Sequence, residues 1–159
     1  MNTVYIGIDT GASGGMAVFY PDGVQKAYSY KKEMSYCDIL ESVKRIASEN
    51  HWHVSATVER LTGFQGGGRQ AMMGAQGFKM GLAYGRVIGW LEALQIPFSE
   101  VLPRSWQAGL PNVAKTKAYI EKKRLLKMIA QQRYPNLKPT LQTCDAILIA
   151  EYATKTQTK

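Results

Sequence analysis

The fold of this protein is decided by residues 4–15, VYIGIDTGASGG, a short apolar run that ends in a glycine-rich turn. An apolar run bounded by glycines predicts a buried strand. Asp9 closes the strand, and its carboxylate needs solvent or a metal ion because burying an unpaired charge is costly. The glycines permit a sharp change of chain direction and the close approach of a ligand. We therefore expect the strand to present Asp9 at its open end.

The next segments extend this strand into a meander. Residues 16–20 and 24–30 are predicted to be the second and third strands, because a Pro-Asp-Gly turn signature separates them. A helix is then expected to begin at Ser35, whose side chain can cap it, with Asp38 in the first turn. This helix leads to the fourth strand.

The fourth strand is predicted over residues 54–59, which alternate between apolar and small polar types and finish on Glu59. A helical crossover makes this strand parallel to the first one. Open α/β sheets bind their ligands at the carboxyl edge of such strands. We therefore expect Glu59 and Asp9 to meet at that edge.

Residues 97–102 are predicted to form a short fifth strand. Because this strand begins with Pro97, which has no N–H to donate to a neighbouring strand, we expect it at the edge of the sheet.

Length and composition describe one globular domain. The 159 residues are 45% hydrophobic, which is enough for a substantial core. We expect a single domain over residues 1–153 and a polar tail over residues 154–159. No apolar run reaches the ~20 residues of a membrane span, and no signal-peptide pattern is present, which predicts a cytoplasmic protein. Cys37 and Cys144 are widely spaced, which predicts reduced structural thiols.

The charge balance points to a polyanionic partner. The formal net charge is +8, from 20 Lys and Arg residues against 12 Asp and Glu residues. Such a surplus favours nucleic acid, because basic side chains contact phosphates and release their counterions. Many basic proteins bind no specific partner, so the charge alone leaves the question open.

A glycine-rich loop follows Glu59 and contains Phe64, Gln65 and Arg69. We expect it to carry function, because binding residues often lie on loops of a rigid scaffold. Phe64 can stack on bases or wedge between them, or it can anchor the loop to the core. Gln65 and Arg69 are further candidates for contact with DNA.

A long helix is predicted over residues 75–94, and it carries a glycine stripe of Gly77, Gly81, Gly85 and Gly89. Each glycine costs a helix roughly 1 kcal/mol relative to alanine, so this repeat needs a packing reason. The stripe allows another backbone to come close, either from the protein's own sheet or from a second subunit. A membrane interpretation is excluded because charged residues interrupt the helix.

Basic residues are frequent in the second half of the chain. Arg104 follows the fifth strand, where it can contact a phosphate, while Trp106 is expected to fill the core. Residues 115–133 predict a helix with seven basic residues and one acid, Glu121. We expect its inner side to carry Ala118, Leu125, Met128 and Ile129. Its outer side, with Lys117, Lys123, Arg124 and Lys127, carries charges of a single sign and is expected to contact a phosphate backbone. The DNA-binding candidates on the two long helices are Lys79, Lys115, Lys117, Lys123, Arg124 and Lys127.

The last helix is predicted over residues 140–152, with Asp145 near its start. An acid there can simply favour the helix dipole, but the apolar character of the helix, with Ala146 next to the acid, indicates a buried position on the active side. Asp9, Glu59 and Asp145 then form a set of three acids at comparable places. Hard cations such as Mg²⁺ bind to a few carboxylates, and two such ions support phosphodiester hydrolysis.

Four stretches, in this order, carry a resemblance to a known family: IGIDTGASGG, TVERLTGFQGGG, GLAYGRVIGWLEALQIPFSEVLPRSWQ and CDAILIAEY. Together they resemble the RuvC-like Holliday junction resolvases, and among these the phage and plastid branch. The resemblance covers residues 4–152. It implies an α/β, RNase H-like fold with a five-stranded mixed sheet in the order 3-2-1-4-5, flanked by helices.

The resemblance also implies a homodimeric, Mg²⁺-dependent endonuclease, with Mn²⁺ as a substitute, that cuts four-way or branched DNA in recombination and repair. The family's metal-binding acids correspond to Asp9, Glu59 and Asp145. We expect Asp9 to bridge two ions, and the other two acids each to complete one, in a hydrolysis that leaves a 5′-phosphate and a 3′-hydroxyl. The glycine stripe is the expected dimer contact. A phage-encoded enzyme acting in the host cytoplasm, with no membrane and no small-molecule substrate, fits this resemblance.

One position departs from the family pattern. These enzymes often have a fourth metal-binding residue about one turn before the last acid, where this chain has Leu141 and Gln142. This difference has three possible explanations. Three acids are enough to bind the metal, or Glu151 or a backbone group replaces the fourth ligand, or the activity of this protein is weakened or lost. Glu151 follows Asp145 at a spacing of about 240° around the helix, which argues against a role as the replacement.

Other functions compete with this interpretation. An actin-like or sugar-kinase ATPase also has an Asp-x-Gly phosphate turn, but those folds need two lobes and this chain has room for one. A non-catalytic DNA-binding module on the same fold is favoured by the missing fourth ligand. A less selective branched-DNA nuclease would share every feature described above.

Asp9→Asn is expected to bind four-way junctions without cutting them, because the substitution removes a carboxylate and leaves the basic surface intact. Gel-shift and cleavage assays on one junction substrate measure the two properties separately. Undiminished cleavage would reject the catalytic assignment of Asp9.

Overall fold

A computed structural model describes residues 2–11, 14–30, 35–61 and 74–157, and its centre is a five-stranded sheet. The strands are β1 (Thr3–Ile8), β2 (Gly15–Phe19), β3 (Gln25–Ser29), β4 (His53–Glu59) and β5 (Phe98–Val101). β2 is antiparallel to both β1 and β3, whereas β4 is parallel to both β1 and β5. The order across the sheet is β3-β2-β1-β4-β5, which confirms the predicted mixed sheet and the position of the fifth strand at its side.

Helices cover both faces of this sheet. In the described ranges they are α1 (Tyr36–Glu49), α2 (Gly74–Ala93), α3 (Pro103–Gln107), α4 (Tyr119–Arg133), a 3₁₀ turn (Pro135–Leu137) and α5 (Cys144–Gln157). α1 and α2 share an apolar core with β1, β2 and β4. α5 packs against the sheet through a separate set of side chains, and α4 packs against α5. None of the described helices combines the length and the apolar character that crossing a membrane requires.

The start of α1 confirms the predicted cap. The Asp38 N–H donates to Ser35 Oγ at 3.2 Å, and the Ser35 N–H donates to Asp38 Oδ2 at 3.4 Å. This reciprocal pair is a capping box, and it satisfies two N–H groups that would otherwise stay unpaired at the helix start. The cap fixes where the crossover from the meander to β4 begins.

The start of α4 differs from the sequence-based expectation. The helix begins at Tyr119, and the residues before it form turns in which the Thr116 hydroxyl donates to Asn112 O at 2.9 Å. Ala118, inside the predicted range, has a φ of −71° and a ψ of 126°, an extended conformation that does not continue a helix. Lys115 and Lys117 therefore precede the helix, and the prediction that Lys117 lies on its outer side is wrong.

The last helix also has different bounds from those predicted. It begins at Cys144, because the preceding threonines bond to one another: the Thr140 N–H donates to Thr143 Oγ1 at 3.0 Å. Such side-chain bonds compete with helical pairing. The helix then continues to Gln157, so residues 154–157 extend it. The division into a domain over residues 1–153 and a tail stays a prediction.

β1 and α5 approach one another closely at Gly7. A Cβ atom at this position would lie 2.2 Å from Ala146 O and 2.3 Å from Ala150 N. Both atoms belong to the backbone of α5, so any side chain at residue 7 would push the helix away from the sheet. This contact between small residues sets the distance between β1 and α5, and Asp145 lies in the first turn of that helix.

The glycine stripe of α2 is largely open. A Cβ atom added at Gly81, Gly85 or Gly89 would meet no described heavy atom within 4 Å, while Gly77 is partly exposed. Packing against the protein's own sheet is therefore the wrong explanation at those three positions within the described part of the chain. Packing against a second subunit stays a prediction.

Gly7→Ala is expected to lower the free energy of unfolding by about 1–3 kcal/mol, because the added methyl group overpacks the contact between β1 and α5. Equilibrium denaturation in urea measures this difference. Gly109→Ala is the matched control, since its Cβ would meet nothing within 4 Å, and it should change the free energy by no more than about 0.5 kcal/mol. Equal stabilities of the two variants would contradict the role of Gly7.

Candidate metal centre

Three acids from distant parts of the sequence meet at one edge of the sheet. Asp9 follows β1, Glu59 ends β4 and Asp145 lies in the first turn of α5. One carboxylate oxygen from each acid lies within 4.8 Å of the others. Asp9 and Asp145 are 8% and 7% exposed, so two of the three carboxylates are nearly removed from solvent. The predicted convergence of these three side chains is present.

Asp9 is held by the turn that follows it. The Gly11 N–H donates to Asp9 Oδ1 at 2.9 Å, and the Asp9 N–H donates to Gly15 O at 3.0 Å. Gly14 makes this turn possible, because a Cβ atom there would lie 2.0 Å from Asp9 O. The glycines thus permit the sharp change of chain direction that the sequence predicted, and the backbone of the turn also positions the carboxylate.

Glu59 is held by Trp106 of α3. Trp106 is buried in the core, as predicted, and its indole Nε1–H also donates to Glu59 Oε1 at 3.4 Å. The Thr10 hydroxyl donates to Glu59 O at the same distance. Sequence reasoning missed the contact between Trp106 and Glu59. A signal was available, because Trp106 closely follows β5, and β5 is the neighbour of β4, the strand that ends at Glu59.

Lys123 lies among the acids. Its Nζ is 2.5 Å from Asp145 Oδ2 and 3.6 Å from Asp9 Oδ2. The side chain is 18% exposed. On its other oxygen, Asp145 accepts a hydrogen bond from Cys144 Sγ at 3.2 Å. The prediction that Lys123 lies on the outer side of its helix is therefore wrong.

The rotation of α4 about its axis explains this error. The buried residues of α4 are Leu126, Ile129 and Ala130, whereas Met128, predicted to face inward, is 47% exposed. Lys123 precedes Leu126 by three positions and lies on the same side of the helix. The helix is thus rotated about its own axis relative to the prediction. Its buried side carries the core residues, and Lys123 on the same side contacts the acids.

The acids and Lys123 shift one another's pKa values. Burial is the largest cause that raises the pKa of Glu59, which reaches about 8, and the charges of Asp9 and Asp145 act in the same direction. The Trp106 hydrogen bond and the charge of Lys123 oppose this shift. Burial also raises the pKa of Asp145, against the effect of Lys123. For Lys123, burial lowers the pKa, but Asp145 and Asp9 outweigh it and raise the pKa.

The donor set fits a divalent metal ion. Three carboxylates converge on a small volume, and hard cations such as Mg²⁺ prefer such oxygen ligands. The contacts of Lys123 with Asp9 and Asp145 show that a positive charge is accommodated at this place. Asp9, Glu59 and Asp145 are the residues that would hold the ion.

The other predicted site residues lie outside this cluster. Glu151 pairs with Arg133 at 2.7 Å and with Lys155 at 2.6 Å, so its carboxylate is engaged elsewhere. Leu141 and Gln142 are exposed. The predicted loop residues Phe64, Gln65 and Arg69 lie outside the described residues. Among the basic candidates, Lys127 is partly buried, and the exposed ones are Lys79, Arg104, Lys115, Lys117 and Arg124.

The sheet order, the helices on both faces and the acidic edge define an RNase H-like fold. Among solved structures, the chain is similar to Thermus thermophilus RuvC in complex with a Holliday junction substrate, with a TM-score of 0.52 and 15% identity over 98% of this chain and 97% of that one. A second Thermus thermophilus RuvC structure has a TM-score of 0.49 and 17% identity over 98% and 97% of the two chains. The fold is therefore that of RuvC. No family model and no curated protein matches the sequence.

Without metal, the stability of this protein is expected to fall as the pH rises from about 4.5 to about 8. The folded state keeps a proton on Glu59 that the unfolded state loses over this range, since the pKa is raised from 4.5 to about 8. Glu59→Gln should therefore lose less stability between pH 5 and pH 8 than the wild type. Urea denaturation in the presence of a chelator measures the difference.

The control for this experiment is Glu92→Gln, which removes an exposed carboxylate of α2. Both variants lose one carboxylate, so a comparison of the two separates the effect of Glu59 from the effect of the changed net charge. Identical pH dependence of the wild type and Glu59→Gln would contradict the raised pKa of Glu59.

Proposed function

We propose that this protein is a divalent-metal-dependent endonuclease that cuts Holliday junctions or other branched DNA. The observation that carries the proposal is the convergence of Asp9, Glu59 and Asp145 within 4.8 Å at the edge of a RuvC fold. The net charge of +8 supports a nucleic-acid partner. The similar Thermus thermophilus RuvC was solved with a Holliday junction.

The side chains of the cluster have distinct roles in this proposal. Asp9, Glu59 and Asp145 hold Mg²⁺, or Mn²⁺ in its place. The bound metal would supply Lewis-acid chemistry and an activated water for phosphodiester hydrolysis. Glu59 would hold the cation as a deprotonated carboxylate, because a nearby positive charge lowers the pKa of a carboxyl group. The Trp106 indole keeps the Glu59 carboxylate in place throughout.

Lys123 serves both states of the site. In the metal-free protein its ammonium group balances Asp9 and Asp145. With those carboxylates holding a cation, Lys123 would be free to donate hydrogen bonds to a phosphate oxygen of the DNA. The proposed products carry a 5′-phosphate and a 3′-hydroxyl.

The proposed DNA surface extends from the cluster along α4. Arg124 and Lys127 follow Lys123 in this helix, and Lys115 and Lys117 lie in the turns before it. Phosphate contacts of this kind give affinity and orientation without reading the sequence. Arg104 in α3, Lys79 in α2 and the loop residues Phe64, Gln65 and Arg69 remain further candidates.

We also propose a homodimer that forms through α2. The open positions Gly81, Gly85 and Gly89 lie beside two exposed apolar side chains, Phe78 at 72% and Leu82 at 44%. A second α2 helix can come close to such a surface, and a twofold axis would give two active sites for cuts in opposite strands.

A second candidate function is a junction-binding protein on the same fold that does not cut. Two observations favour it. Leu141 and Gln142 stand where the resemblance implies a fourth ligand, and Lys123 occupies part of the acidic cluster. Both functions predict the same DNA partner, so cleavage itself separates them.

The test is cleavage of a labelled four-way junction by the wild type with Mg²⁺ and, separately, with Ca²⁺. We expect cuts with Mg²⁺, at two symmetry-related positions in opposite strands. Asp145→Asn should cut at least about 100-fold more slowly, the range seen when one electrostatic group is removed from an active site. Glu49→Gln, an exposed acid of α1, is the matched control and should cut like the wild type.

Binding without cuts under either ion would reject the nuclease and favour the second candidate. A single unpaired nick would count against the homodimer.

A further inference from the structure

A cavity of about 240 Å³ lies beside the candidate metal centre. Thr10 and Gly11 form its wall on the side of the acids, and Gly11 is the residue whose N–H holds the Asp9 carboxylate. Tyr30 and Tyr36 line it as well, and α2 closes the remaining side. The cavity thus opens next to the place where a DNA strand would be cut.

One side of α2 faces this cavity. The α2 residues that line it lie three or four positions apart along the helix: Lys79, Leu82, Ala83, Arg86, Val87 and Trp90. Such spacing places them on a single helix face. Gly85, the middle one of the three open glycines, lies about 100° around the helix from Arg86. The cavity and the proposed dimer surface therefore occupy adjacent sides of α2, and Leu82 lies at their boundary.

The walls of the cavity have the chemistry of a nucleobase site. Tyr30, Tyr36 and Trp90 supply aromatic surface, on which bases of any identity can stack. Lys79 and Arg86 are exposed residues of the same lining, and their charges suit the phosphates on either side of a base.

The hydroxyl group of Tyr36 is an independent sign of a ligand. Tyr36 is 4% exposed, and its hydroxyl has no hydrogen-bond partner among the described residues. Buried polar groups usually have a partner. Burial, followed by the charges of Asp9 and Tyr30, raises the pKa of Tyr36. The group is therefore a neutral O–H without an acceptor among the described residues, and the atoms that cover it have to move before it can donate to a base oxygen or nitrogen.

The size of the cavity limits what it can take. Sites for complete small molecules usually measure roughly 300–1,000 Å³. At about 240 Å³ the cavity suits a fragment such as one base, while the sugar and phosphates stay outside near Lys79 and Arg86.

We propose that this cavity binds one unpaired nucleobase of the DNA strand that is cut at the metal centre, with the Tyr36 hydroxyl donating to the base. This inference rests on the proposed function. A base leaves its stack at least cost where it is already unpaired. Branch points offer such bases, so a base site in this cavity would favour binding of branched DNA over continuous duplex DNA.

The first test is a scan of abasic sites along the strand that is cut, with affinities measured in Ca²⁺. One abasic position should weaken wild-type binding by about 5- to 100-fold, the range for loss of one stacked base. Ala83→Trp fills the cavity, so this variant should bind intact and abasic junctions equally. Ala93→Trp adds the same side chain at an exposed position of α2, and it should keep the wild-type response.

The second test is Tyr36→Phe, which removes only the hydroxyl group and keeps the ring. It should weaken binding of the intact junction by about 2- to 10-fold, the range for one hydrogen bond, and leave binding of the abasic junction unchanged. Tyr134→Phe is the matched control, since Tyr134 packs against Phe19 away from the cavity, and it should bind both junctions like the wild type.

The outcomes distinguish this inference from the proposed function. Wild-type protein that binds no branched DNA would overturn both. Wild-type protein that binds and cuts junctions, with no sensitive abasic position and no effect of Tyr36→Phe, would overturn the nucleobase site alone. If Ala83→Trp does not fold, the Tyr36→Phe comparison on intact and abasic junctions decides the question.

Discussion

The structure depends on the close contact between β1 and α5 at Gly7. The Ala146 carbonyl and the Ala150 amide of α5 lie where a side chain of residue 7 would have to be. This approach brings the first turn of α5 down to the end of β1, so Asp145 meets Asp9. The glycine turn after β1 then holds the Asp9 carboxylate through the Gly11 N–H. Packing of small residues is thus the physical basis of a charged site.

The acids that gather there need a positive charge. Burial disfavours their ionised forms, which is why the pKa of Glu59 reaches about 8 and that of Asp145 is also raised. Lys123 supplies one charge through its contacts with Asp145 and Asp9. A divalent cation supplies more charge and more ligand bonds in the same space. In the structure Lys123 is the cation that holds the acids together, and in the proposed metal-bound form a divalent ion would take this role.

Different sides of helix α2 have three different roles. Val87 and Leu91 are buried and attach the helix to the core. The open glycines, with Phe78, form a smooth apolar surface that suits a second copy of the helix. The third side, which includes Arg86, lines the cavity beside Asp9. A single helix can thus connect a proposed subunit contact with a proposed DNA site, and the glycines that weaken it as an isolated helix keep its surface free.

The sequence by itself determined where Asp9 and Glu59 stand, because strand periodicity, glycine turns and strand ends are local signals. The sheet order and the correspondence of all three acids with metal ligands came from the resemblance to the RuvC-like resolvases. Only the tertiary structure decided the partners of these acids. Lys123 was expected to face solvent, and Trp106 was expected only to fill the core. The Tyr36 hydroxyl, which has no partner among the residues that the structure describes, left no trace in the sequence. The rotation of a helix such as α4 is set by the sum of many weak packing contacts. Those contacts exist only once the chain has folded.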